Sequence, residues 1–172
     1  MQRLLIVFLL AFAACICTAR ELAAQDLVIT NARIIVGNGQ VIESGSIVVR
    51  NGRIVSAAAG AANAQGARTI DARGLTAMPG FIDGHRHIIQ GNADQYFKER
   101  AAARMQEFLE AGYTTLMEGG GQIPGILQLK DKIEKGEIKG PRIITSARAD
   151  PGNFKTPEAA RERVQMIAKA GV

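Results

Sequence analysis

The only two histidines of the chain, His85 and His87, stand two apart in the stretch "MPGFIDGHRH". Imidazole is a favoured ligand for zinc and related divalent ions, so the pair suggests metal chemistry. On a strand, side chains two apart face the same way with their roots roughly 7 Å apart. Two rings leaning together from there can reach one ion at about 2.0–2.1 Å from each nitrogen. Regular alternation also puts Asp83 on that face, where a hydrogen bond could hold a ring's tautomer. Two imidazoles fall short of the three protein ligands a catalytic zinc normally needs. Taken alone, His-x-His equally describes ordinary hydrogen-bonding residues at a strand end.

Cysteine does not supply the missing ligand, because Cys15 and Cys17 both fall in the N-terminal run "LLIVFLLAFAACIC". Arg3 precedes that run, and small and polar residues follow it to Gln25. A short positive region, an apolar core and small residues before a cut describe a secretory signal peptide over residues 1–24. A membrane-spanning helix needs roughly 20 apolar residues, more than this run offers. Cleavage fits after Ala19 or after Ala24. "FAAC" resembles a lipoprotein box loosely, with Phe12 where Leu is usual, and soluble export to the periplasm or the exterior is favoured over a retained anchor. The mature chain is then free of thiols.

The remaining composition is globular, with 47% apolar and 22% charged residues. The net charge of +5 comes without a run of Lys and Arg, which excludes a nucleic-acid footprint.

Two segments of different period must position the histidines. Residues 25–78 read as strands and turns: "GNGQ" at 37–40 is a turn, and Asn51-Gly52 supplies the two positive-φ residues of a type I′ hairpin. "AAAGAANAQGA" at 57–67 reads as a loop, and "RTIDARGLTAMPG" as a further strand pair. Residues 79–172 alternate strand and helix. "GFIDGHRH" is a strand. One helix follows between Asp94 and Ala111, with Phe97, Ala101, Met105, Phe108 and Leu109 at helical spacing and Gly112 as its stop. "YTTLME" at 113–118 is a strand running into a "GGG" loop. Pro124 starts a helix closed by Gly136, "PRIITSA" is a third strand, and Thr156 caps a helix with Ala160, Val164 and Ile167 inward. Such alternation implies a parallel sheet with helices outside it. Arg86 would face that helical layer if its strand stayed regular, so the strand is expected to end near His85. Glu118, Arg148 and Asp150 follow strands and could line a pocket, although an exposed loop charge is the simpler reading of each.

"GLTAMPGFIDGHRH" resembles the opening of the metal-dependent amidohydrolase superfamily, whose members read Pro-Gly, an apolar pair, then Asp-x-His-x-His. The resemblance continues in "NGRIVS" before "TIDARGLTAMPG", in "LEAGYTTLMEGGG" and in "KGEIKGPRIITSA", as in imidazolonepropionase-like and prolidase-like members. Ile89 stands where dihydroorotase-like members carry Arg, which argues against that branch. The resemblance implies an α/β fold: the first three βα units of a TIM-like (β/α)8 barrel, preceded by part of a small β-sandwich. It implies a hydrolase acting on the carbon–nitrogen bond of an amide, cyclic amide or dipeptide through metal-activated water. The implied metal is a divalent ion, zinc by preference, one or two per complete enzyme. His85 and His87 match the first two ligands. The others (a carbamylated lysine or glutamate, two histidines and a catalytic aspartate) would come from strands four, five, six and eight. The chain therefore reads as an N-terminal fragment, inactive by itself, whose substrate is a small molecule. The competing readings are a short secreted protein that binds metal or a partner without catalysis, and a truncated product that does not fold. Sequence alone leaves the oligomeric state open.

Overall fold

The computed structural model describes residues 26–148 and 154–172. The expected signal peptide, both cysteines and Asp150 lie outside the described residues. Among the described residues, no helix is long and apolar enough to cross a membrane. The chain divides into two compact units between Pro79 and Gly80.

The first unit is a five-stranded sheet built from β1 (Leu27–Ile35), β2 (Val41–Arg50), β3 (Arg53–Ala59), β4 (Arg68–Asp71) and β5 (Thr76–Ala77). The path runs β3-β2-β1-β4, with β5 also pairing β1. Asn51 and Gly52 adopt φ of 50° and 72°, as the hairpin between β2 and β3 requires. Ala32, Ile34 and Ile47 form the buried cluster of this unit.

Two expectations change here. Residues 57–59 are strand, not loop, because Ala57, Ala58 and Ala59 pair with Ile47, Ser46 and Gly45. A Cβ on Gly45 would lie 2.4 Å from the Ala58 carbonyl oxygen, so glycine permits this close approach. Moreover, β4 and β5 do not pair with each other. Both run parallel to β1, at Leu27–Thr30 and at Arg33–Ile34 respectively. The chain steps between them through a turn at Arg73 and Gly74, and at the matching point Asn31 (φ 53°) shifts the register of β1 against β2. Asp71 accepts hydrogen bonds there from Asn31 Nδ2 and the Arg73 amide.

The second unit holds three parallel strands in the order β6-β7-β8: β6 (Phe81–Arg86), β7 (Tyr113–Gly121) and β8 (Arg142–Ala147). Helices connect them: α1 (Ala93–Glu99) and α2 (Ala101–Glu110), then α3 (Gly125–Glu134), with α4 (Pro157–Lys169) after β8. The expected single helix over 94–111 is thus two. Its buried residues are Tyr96, Ala101, Met105 and Phe108. The five-residue step from Tyr96 to Ala101 does not fit a 3.6-residue period, and the break at Arg100 (φ −134°) resets the phase so both segments face the core. The α1 start is capped by the Asn92 side chain, which accepts from the Gln95 amide.

Met105, Leu116, Ile126 and Leu129 are fully buried between sheet and helices. Burying side chains of this size contributes roughly 1.5–3 kcal/mol each. The opposite face of the sheet is open, with Ile82, Met117 and Ile144 exposed. Thr156 caps α4 as expected, accepting from the Ala159 amide. Val164, expected inward, is 56% exposed, and α4 buries no residue. A helix in a βα repeat packs across neighbouring strands, and among the described residues no strand lies beyond β8 to receive it.

Candidate metal centre

The register of β6 against β7 decides where the histidines point. Asp83 pairs with Leu116 and Arg86 with Glu118, so three steps on β6 oppose two on β7. This extra residue shifts the alternation, as a bulge does. Leu116 and Glu118 are both buried on the helical side, which puts Asp83 and Arg86 on that side too. His85 precedes Arg86 and takes the other face, while His87 lies one residue past the end of β6. Asp83 therefore does not share the face of His85, contrary to simple alternation. Its Oδ1 instead accepts from the His85 backbone N–H at 3.0 Å, fixing the main chain beside the pair.

Arg86 is within β6, not past its end. Its guanidinium lies 5.1 Å from the centroid of the Phe108 ring, which also receives Arg104 at 4.8 Å. Stacking on an aromatic face lets an arginine sit among helices, although Arg86 Nε is buried without a hydrogen-bond partner.

The two imidazoles meet edge to face with ring centroids 5.2 Å apart. The "GGG" run beneath them is strand, since Gly119 pairs with Ser146 and Gly121 with Ala147. A Cβ on Gly119 would stand 3.2 Å from the His85 ring, so the missing side chain lets the imidazole rest on the β7 backbone. At Gly121 a Cβ would come within 2.7 Å of Glu118 Cγ and 2.9 Å of Ile126.

Glu118 is the residue that sequence reading misplaced. It is not an exposed loop charge: its side chain is 2% exposed within β7. Glu118 Oε2 accepts from the Ile88 amide, and Oε1 lies 3.4 Å from His87 Nδ1. Ser146 Oγ donates to its main-chain oxygen at 2.7 Å. The signal available in sequence was an acid two residues after a buried leucine in a β-rich run, the spacing of one strand face. Arg148 and Arg163 join His87 and Glu118 in lining a cavity of about 440 Å³, and Arg163 donates to the Arg148 carbonyl at 3.1 Å.

Two imidazoles offer a donor set suited to zinc and similar first-row divalent ions. His85 and His87 fit as a pair of ligands: their rings lie 5.2 Å apart, that of His85 over the bare backbone of Gly119. Among the described residues, no group of three or more histidine, cysteine or acidic side chains gathers to hold an ion.

Comparison with known proteins follows the same strands. The sequence profile of the Amidohydrolase family matches residues 76–171. No curated protein sequence matches the chain. Among solved structures, a Bifidobacterium longum protein assigned as a prolidase is similar at 28% identity and a TM-score of 0.71, covering 87% of this chain and 40% of its own. A prolidase complexed with N-methylphosphonate-L-proline is similar at 23% identity and 0.67, covering 86% and 45%. A Xaa-Pro dipeptidase with methionine in its active site follows at 23% and 0.61, covering 81% and 44%. The chain thus spans less than half the length of these relatives, and its α/β architecture is that of part of their fold. The chain belongs to the amidohydrolase family, and its structural likeness is to the prolidase-like branch.

Proposed function

We propose that this chain forms the N-terminal part of an exported, metal-dependent hydrolase of carbon–nitrogen bonds. The carrying observation is the meeting of His85 and His87 edge to face at the end of a parallel strand, in a chain of this family. In this reading they hold a divalent ion, zinc by preference. When bound, such an ion lowers the pKa of water and polarises the carbonyl under attack. The chain's own residues do the positioning: Gly119 lets the His85 ring settle on β7, and Asp83 holds the His85 backbone N–H within β6. Arg148 and Arg163 give the cavity a basic side suited to the carboxylate of a dipeptide-like substrate. The strands of residues 25–78 contribute to a small β-sandwich, and residues 1–24 direct export and are removed.

In the full-length enzyme, His85→Ala or His87→Ala should lower bound metal, measured by elemental analysis, and reduce hydrolysis of Xaa-Pro dipeptides or cyclic amides by orders of magnitude. Unchanged metal content in both variants would overturn the reading. For export, N-terminal sequencing of secreted material should begin between Arg20 and Asp26, and an intact Met1 on soluble protein would contradict it.

A further inference from the structure

A carboxylate carried into a protein interior is unfavourable unless it is paired and hydrogen-bonded. Glu118 is such a group, buried within β7. The Ile88 amide occupies Oε2. Arg86, its neighbour across the strands, turns away and stacks on Phe108 instead. Its Oε1 lies 3.4 Å from His87 Nδ1, in a cavity that Arg148 and Arg163 also line. That separation exceeds the roughly 2.7–2.9 Å of a tight charge-assisted bond, and the His87 side chain, 54% exposed, has room to turn towards it.

An ionised carboxylate only accepts, so a neutral imidazole meeting it must present N–H. We propose that Glu118 is a positioning residue that places the His87 ring proton on Nδ1 and leaves Nε2 bare to face the site. The use of that bare nitrogen by a metal rests on the function proposed above; the tautomer itself does not. The competing role for Glu118 is purely structural, anchoring the Ile88 amide and so the turn after β6.

A near-isosteric change separates the two roles. In Glu118→Gln the amide oxygen can still take the Ile88 N–H. Its NH2 then faces Nδ1, which must accept, and the ring proton moves to Nε2. Because the chain has only two histidines, a long-range proton–nitrogen NMR spectrum of histidine-labelled protein contains two rings. A His85→Gln variant assigns them. In mildly alkaline solution, where imidazoles are neutral, the wild type should show His87 protonated at Nδ1. Glu118→Gln should move that proton to Nε2 without changing His85, and Co2+ should bind about 10- to 100-fold more weakly. A wild-type His87 protonated at Nε2, or the same tautomer in both proteins, would overturn the inference. The wild-type spectrum decides even if the variant does not fold. If the tautomer switches while Co2+ affinity is equal in the wild type, Glu118→Gln and His87→Ala, the positioning role stands and the metal reading fails.

Discussion

Asp71 and Glu118 are both acids on strands, and they are held in opposite ways. Asp71 ends β4 at the surface, where the Asn31 amide and the Arg73 backbone N–H hold its carboxyl below the usual carboxylate range. It closes a turn, with solvent behind it. Glu118 sits buried inside β7, where it accepts from one backbone donor and faces one imidazole edge. A turn needs a local acceptor and can leave it wet. A site needs an acceptor of fixed direction, which burial supplies at a cost in solvation.

This contrast can be broken from either side. The largest stability effect belongs to the core that surrounds Glu118: Leu116→Ala should destabilise the second unit by about 2–5 kcal/mol in denaturant unfolding. A loss under about 1 kcal/mol would mean that the helices do not hold β7 as described. Glu118→Ala comes next. It strands the buried Ile88 amide, at about 1–3 kcal/mol, and Glu118→Gln should recover much of that loss. Gly119→Ala sharpens the comparison at the site, since it changes no donor but pushes on the His85 ring at 3.2 Å. Weaker Co2+ binding with nearly unchanged stability is expected, and unaltered binding would show that the ring does not need the bare backbone.

The smallest effect is expected at Asp71. Its folded-state pKa is depressed, so its contribution to stability is present above the ordinary value of about 4 and is lost as pH falls below it. Thermal unfolding of the wild type should therefore weaken more between about pH 4 and pH 2 than that of Asp71→Asn. Parallel pH profiles would contradict the assigned hydrogen bonds.

The sequence showed some of these features and hid others for identifiable reasons. Asn51-Gly52 and Thr156 were legible because turn and cap chemistry is local. The histidine pair was legible because its two-residue spacing is local, at the end of one strand. Glu118 was not: "GGG" after it has loop composition, and only pairing with β8 makes it strand. The displacement of Asp83 from the histidine face was likewise hidden, since an extra residue in β6 is visible only against β7. The break at Arg100 and the exposure of Val164 both depend on what the helices pack against, which local periodicity does not record.

The central claim is that His85 and His87 ligate one divalent ion, and X-ray absorption at the zinc edge of the loaded full-length enzyme tests it most directly. The account predicts nitrogen scatterers at about 2.0–2.1 Å with imidazole outer-shell features, reduced in His85→Ala and again in His87→Ala. Imidazole scattering that is undiminished in both variants would contradict it.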